Sequence, residues 1–389
     1  MLKRTTRLLA ARPFATAART KYVLGIETSC DDTAVAIVDS NGAILSEVVS
    51  SQWALLEKWK GRHTRRYYCI VPALAARSHE ENLPLVLQAA IEQSGLDGFG
   101  ALDAVAVTSG PGLAPCLNVG LSAAKDLVAR HNLDFLAINH LEAHALVPRL
   151  LNDDVHFPFL VLLVSGGHCS LVLAKDVGSY DVLGSTVDDS VGEAFDKVAR
   201  MLELTSERAK LHGGALVEAA ARLGNDRVFR LTEPMKKKKR KLAFGVGLRL
   251  SFAGLKTAMM RLIAEHQPLT PTTKHDLAAA FQRTAIAHLV TRTKLACEMT
   301  TASHPTLQHL VVCGGVAANT TLRREMETLA SATGLRAVYP PPRYCTDNGV
   351  MIAWAGMERY VRGVRDDAAS TKYAPRWPLN TLQPVPVPP

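Results

Sequence analysis

A chain of 389 residues is long for one compact core and comfortable for two. Apolar residues make up 48% of it, enough to fill both cores, and no run of 18 apolar residues offers a membrane span. The net charge of +9 sits in two blocks: Lys3, Arg4, Arg7, Arg12 and Arg19 at the start, and Lys236–Lys241 further on. The remaining body is therefore close to neutral, which excludes a protein coated in positive charge.

Residues 1–20 (MLKRTTRLLAARPFATAART) are rich in Arg, Thr and Ala, and the first acid in the chain is Glu27. This pattern predicts a mitochondrial presequence in preference to a plain basic tail, and a destination in the mitochondrial matrix. The seven cysteines are odd in number and form no C-x-x-C, which predicts reduced thiols, not a disulfide framework.

Tyr22–Ile26 is a short apolar run, followed by a polar turn, Glu27 to Asp32, and a second β-rich run, Thr33–Val38. This reads as strand, turn, strand, continued less clearly by Val48–Leu56. Residues 72–94 read as a helix that Pro84 kinks or divides. Leu102–Thr108 is a strand, Ser109–Gly112 a turn, Asn118–Arg130 a helix, and Phe135–Ile138 a strand leading into a helix at Asn139–His144.

Phe159–Val164, the turn Ser165–His168 and Ser170–Ala174 repeat the opening strand-turn-strand plan, which predicts an internal duplication. Asp189–Leu202 and Asp276–Met299 follow as helices. His309–Val312 is a strand, Gly314-Gly315 a tight turn, and Ala317–Ala330 and Asn348–Gly363 are helices. The proline-rich tail after Thr371 is expected to lie loosely on the surface. Alternating strands and helices in two similar halves predict an α/β protein of two lobes. The expected limits are a first lobe over 21–150, a second over 151–344, a return to the first over 345–370, and a tail over 371–389.

His140 and His144 are four apart, so a helix projects them from one face, where two imidazoles can share a metal. On that spacing alone, ordinary helical histidines are the preferred reading. A metal needs a third ligand, and Asp347, in a polar turn before a helix, is the strongest candidate. A metalloprotease would need H-E-x-x-H, but here Glu142 stands two places after His140, turned about 100° further round the helix. Ser165-Gly166-Gly167 and Gly314-Gly315 are turns after buried strands, able to bring backbone close to a phosphate, though each alone is also an ordinary turn. Asp31 and Asp32 can position a metal, a water or an amine, or simply serve the turn. Lys236–Lys241 suits RNA phosphates, a nuclear signal or a solvated loop; beside a presequence, the loop is the preferred reading.

Taken in order, VLGIETSCDDTAVAIVD (23–39), TSGPGL (108–113), VGLSAAKDLVA (119–129), NHLEAH (139–144), LVSGGH (163–168), GEAFDKVARML (192–202), SFAGLKTA (251–258), CGGVAAN (313–319) and CTDNG (345–349) resemble the tRNA N6-adenosine threonylcarbamoyltransferase family. The resemblance spans nearly all of residues 22–357. It implies the duplicated fold of sugar kinases, actin and heat-shock ATPases (ASKHA), with a nucleotide cleft between the lobes. It implies one divalent ion (Fe, Zn, Mn or Mg) on His140, His144 and Asp347. It also implies nucleotide-substrate contacts at Leu163, Val164, Ser165, Gly166, Gly167, Asp196, Gly214 and Asn319, with Glu218 facing the same ribose.

The implied reaction moves a threonylcarbamoyl group from threonylcarbamoyl-AMP, made by a separate synthase, to N6 of adenosine 37 in tRNAs reading codons that start with A. Asp31 or Asp32 is the expected proton acceptor, and a homodimer the expected assembly. A silent scaffold of the same fold is the rival, and the complete metal triplet speaks against it. One stretch departs from the family pattern: in YYCIVPALAARSH (67–79), Tyr68 and Cys69 replace a glycine pair and Ala73 replaces a Glu.

Overall fold

The computed structural model describes residues 19–52, 71–205, 213–235 and 248–386. The expected presequence up to residue 18, the end of the run Val48–Leu56, Tyr68 and Cys69, and Lys236–Lys241 lie outside the described residues. The chain forms two units, one reaching Leu146 and resuming at Asn348–Trp377, the other covering Val147–Asp347 and Pro378–Pro384.

The first unit is built on β1 (Tyr22–Glu27), β2 (Asp32–Asp39), β3 (Ile44–Ser51), β4 (Ala104–Gly110) and β5 (Asp134–Asn139), in the order β3-β2-β1-β4-β5. β1 runs antiparallel to β2 and parallel to β4, so the first three strands meander and the last two return through helices. Val23, Leu24 and Ile26 are wholly buried, as are Val35 and Ile37 opposite them. Each such side chain contributes roughly 1.5–3 kcal/mol by leaving water.

The second unit carries β6 (Phe159–Val164), β7 (Cys169–Asp176), β8 (Ser179–Ser185), β9 (His309–Cys313) and β10 (Arg336–Val338). Read from its other edge, the order is β8-β7-β6-β9-β10, with the same antiparallel and parallel pairings strand for strand. The two units thus repeat one topology.

On the first sheet lie α1 (Pro72–Ser94) and α2 (Ala114–His131); α3 (His140–Leu151) starts where β5 ends. α1 runs undivided through Pro84, so of the expected kink or break the break does not occur. The proline forfeits one backbone hydrogen bond, and the burial of Leu83, Val86, Leu87 and Ala90 around it offsets the loss. The second unit holds α4 (Val191–Met201), α5 (Gly213–Ala221), α6 (Ala253–Glu265), α7 (Pro271–Ser303) and α8 (Thr320–Ala332). Helix α9 (Gly349–Tyr360) belongs to the first unit and is buried along its whole length. The helix expected from Ala317 begins only at Thr320, because the Asn319 side chain accepts from Leu322 N at 3.0 Å and caps it there; a 3-10 turn fills Gly315–Ala318.

The tail corrects the expectation of a loose segment. Ala374 N donates to Ser109 O (2.7 Å), Gly112 N to Pro375 O (3.2 Å), Asn139 Nδ2 to Trp377 O (2.8 Å) and Lys125 Nζ to Thr371 O (2.7 Å). A methyl group on Gly110 would fall 1.9 Å from Ala374 O, so this glycine is what lets the strap close down. Proline removes donors, but the carbonyls that remain are used as acceptors, and composition alone hides that.

Candidate metal centre and nucleotide turns

The end of β5 sets up the candidate metal ligands. Asn139 Oδ1 accepts from Leu141 N (2.9 Å) and Glu142 N (3.2 Å), so α3 begins on a capped first turn with His140 as its first residue. One helical turn later His144 shares its face, and the two rings meet edge to face with centroids 4.7 Å apart. Asp347 directly precedes Asn348, whose side chain caps α9 by accepting from Met351 N at 2.9 Å. One ligand atom from each of His140, His144 and Asp347 lies within 4.8 Å of the others, with the histidines buried and the aspartate half-buried. Two imidazoles and one carboxylate so grouped fit a divalent ion and leave coordination positions for oxygen donors.

Glu142 has other business. Its Oε2 accepts a fork from Arg359, Nε at 2.9 Å and Nη2 at 2.7 Å, in a buried ion pair. A carboxylate committed to a guanidinium is a poor general base, which deepens the case against a metalloprotease.

Asp31 and Asp32 lie half-buried in the β1–β2 turn and are not members of the metal group. Their turn is pinned by His79 of α1, whose Nε2 lies 3.0 Å from Cys30 O and whose Nδ1 lies 2.7 Å from Thr33 Oγ1. A carbonyl only accepts, so Nε2 carries the proton and Nδ1 accepts from the threonine. Burial holds this imidazole below its ordinary value, against the opposing pull of the Cys30 carbonyl, and keeps it neutral.

The nucleotide candidates all fall in the second unit. Leu163 and Val164 close β6, and Ser165 shapes the turn: its N donates to His168 O (2.8 Å) and its Oγ accepts from His168 N (3.0 Å). Ser190 Oγ donates to the Gly166 carbonyl. A methyl group placed on Gly166 or Gly167 would meet nothing within 4 Å, so this backbone is open to a ligand. Gly314 has φ +91°, and a methyl there would lie 2.4 Å from Val164 O, so only glycine fits beside the β6 terminus.

Asp196 stands on α4 against the start of α5: a methyl on Gly213 would fall 2.4 Å from its Oδ1. Gly214 and Glu218 are on α5, and Glu218 accepts from Thr320 N (3.0 Å) and Arg222 Nη2 (2.9 Å). Asn319, besides capping α8, donates from Nδ2 to Gln282 Oε1 at 2.9 Å. Cys116, Cys169, Cys297, Cys313 and Cys345 are free thiols. Burial raises Cys116 and Cys297 to about 11 and Cys169 to about 12, so these three are not ready nucleophiles.

Sequence reasoning passed over Glu27, His79, Asn139 and Arg359 as site residues. The clearest signal was Glu27, an acid closing the otherwise apolar strand YVLGIE.

Two five-stranded sheets of identical topology, each with a turn at the end of its first strand, define an α/β protein of the sugar kinase, actin and heat-shock ATPase class. The structure of HypF from T. kodakarensis shares the fold, with a TM-score of 0.55 at 12% identity over 88% of this chain and 48% of that one. Full-length HypF in its phosphate- and nucleotide-bound form gives 0.51 at 13% identity over 88% of this chain and 47% of that one.

Within that class the chain belongs to the TsaD family, tRNA N6-adenosine threonylcarbamoyltransferase, whose model matches residues 46–354. The enzyme of that name from Paramagnetospirillum magneticum is 44% identical over 359 residues, covering 92% of this chain and 97% of the relative. A "probable tRNA N6-adenosine threonylcarbamoyltransferase, mitochondrial" from Arabidopsis thaliana is 40% identical, covering 92% and 74%. The protein is therefore a transferase that modifies tRNA. No helix among the described residues is long and apolar enough to cross a membrane.

Proposed function

We propose that the protein transfers the threonylcarbamoyl group of threonylcarbamoyl-AMP to N6 of adenosine 37 in mitochondrial tRNAs reading codons that start with A, releasing AMP. The observation that carries this reading is the convergence of His140, His144 and Asp347 within 4.8 Å in a chain of this family. These three would hold one divalent ion, which would supply Lewis-acid polarisation of the carbamoyl carbonyl.

The exocyclic amine of adenosine is a weak nucleophile, because its lone pair is delocalised into the ring. Its N6 lone pair forms the new bond to the carbamoyl carbon, the bond from that carbon to the phosphate oxygen breaks, and AMP departs. Asp31 or Asp32, held in place by the His79 contacts, accepts the amine proton. Gly166 and Gly167 offer open backbone to the AMP half, next to Leu163, Val164 and Ser165 and with Asp196, Gly214, Glu218 and Asn319. The anticodon loop presents its adenosine unpaired, so the base can be splayed toward the enzyme.

The matrix location rests on the leading 20 residues and on the mitochondrial relative. A homodimer is the proposed assembly, and the exposed Val71, Leu74 and Leu85 on and beside α1 supply apolar surface for it. A separate synthase supplies the adenylate. The test incubates purified protein with threonylcarbamoyl-AMP and unmodified tRNA, follows the modified nucleoside by mass spectrometry, and measures bound metal on the same sample. Metal-bound protein that forms no modified nucleoside overturns the reading.

A further inference from the structure

Glu27 is wholly buried at the end of β1, where no solvent stabilises its charge, and its carboxylate is occupied on both sides. Oε1 accepts from Ser29 N at 2.5 Å. Oε2 accepts from Thr108 Oγ1 at 2.6 Å and lies 3.0 Å from His140 Nδ1. Ser29 Oγ stands 3.3 Å from the same ring nitrogen. The β1–β2 turn, strand β4 and helix α3 thus each place one group around a single carboxylate at the end of β1. A carboxylate taken out of water is costly unless such donors surround it, so a buried Glu here calls for a reason.

We infer that Glu27 is a positioning residue for the metal centre, fixing His140 as the Nδ1–H tautomer so that the Nε2 lone pair is directed to the ion. An oxygen that only accepts leaves the proton on Nδ1 and the free pair on Nε2. Carboxylate partners of metal-bound histidines act in this way, and they also raise the basicity of the ligating nitrogen. Thr108 and the Ser29 amide hold the carboxylate so that it cannot swing away from the ring. The inference rests on His140 being a ligand, as proposed above, and assigns Glu27 no contact with substrate.

Glu27→Gln tests it, because the glutamine amide nitrogen donates to Nδ1 and reverses the tautomer, placing a proton on Nε2. Glu27→Asp keeps an acceptor. Metal-stripped proteins are titrated with Zn²⁺ against a chromophoric chelator, and the tautomer of His140 is read from ¹⁵N-imidazole NMR shifts of the metal-free protein. The expected result is a loss of about 10- to 100-fold in Zn²⁺ affinity for Glu27→Gln, a smaller loss for Glu27→Asp, and an Nδ1–H imidazole in the parent that becomes Nε2–H in Glu27→Gln.

Parent-like Zn²⁺ affinity in a folded Glu27→Gln, with affinity lost in His140→Ala, overturns the positioning role and leaves the metal site standing. Parent-like affinity in His140→Ala overturns the ligand assignment beneath it. If Glu27→Gln does not fold, the tautomer of the unaltered protein decides: an Nε2–H His140 refutes the inference.

Discussion

The turn after β1 and the turn after β6 occupy the same place in two copies of one topology, yet they are built in opposite ways. The first is filled with side chains: Glu27 locked among Ser29, Thr108 and His140, and Cys30 and Thr33 locked by His79. The second rests on glycines, with Gly166 and Gly167 facing open space, and beside it Gly314, at the end of β9, stands in a backbone conformation only glycine takes comfortably. A duplicated scaffold has filled one turn with interlocked functional groups and left open space at the glycines of the other. The first is expected to fail through chemistry when altered, the second through backbone.

The largest effect belongs to the side-chain half. Removing a proposed metal ligand by Asp347→Ala should forfeit several kcal/mol of transition-state stabilisation, so that transfer falls about a thousandfold while the fold persists. Single-turnover assays on unmodified tRNA, beside a thermal melt, check it; a chelator should produce the same loss in the parent and added metal should reverse it. Next comes the backbone half. Gly314→Ala forces a methyl to within 2.4 Å of Val164 O at a φ of +91°, which should cost about 3 kcal/mol in urea unfolding. A variant as stable as the parent would show that the turn gives way more easily than its packing implies.

Buried histidines draw the same contrast. His79 has both ring nitrogens engaged, whereas His288, on α7 of the second unit, accepts from Ser251 N at 3.3 Å and its Nδ1 has no partner among the described residues. Burial, with Arg292 adding to it and Asp188 opposing, pulls the His288 imidazole down to about 4. Above pH 6.5 the folded and unfolded forms are both neutral at this residue. Between 6.5 and about 4 the unfolded chain takes up a proton that the folded one refuses, so stability falls as acid is added. The expected loss is about 2 kcal/mol between pH 7 and pH 5, and His288→Phe should flatten that part of the profile.

Much of this was legible in the sequence because it is local. The strand-turn-strand repeat, the four-residue spacing of His140 and His144, and the helix over residues 72–94 all follow from patterns within one segment. What escaped is set by partners far along the chain. Glu27 reads as a strand-end acid until Thr108 and His140, 81 and 113 positions away, are brought to it. Arg359 reads as one more helical charge until Glu142, 217 positions earlier, receives its fork. Strands β8 and β10 and helices α5 and α6 went unread for a related reason: β10 is three residues long and β8 mostly polar or half-exposed, so each depends on its neighbours more than on its own pattern. The strapped tail was misjudged because proline content speaks of missing donors and is silent on carbonyl acceptors.

The smallest effect sharpens the comparison most. Gly166 differs from Gly314 in having room: a methyl there touches nothing within 4 Å. Gly166→Ala should therefore leave the unfolding free energy within about 0.5 kcal/mol of the parent, as for an ordinary surface change. If that space belongs to the AMP half of the donor, the same methyl obstructs close approach of the ligand to the turn amides and raises KM for threonylcarbamoyl-AMP about tenfold, equivalent to about 1.4 kcal/mol, with KM for tRNA unmoved. An unchanged KM for the adenylate would remove Gly166 from the nucleotide contacts. A Gly166→Ala protein that also lost stability would mean that the turn after β6 is packed, not open, and that the two turns are less different than their surroundings imply.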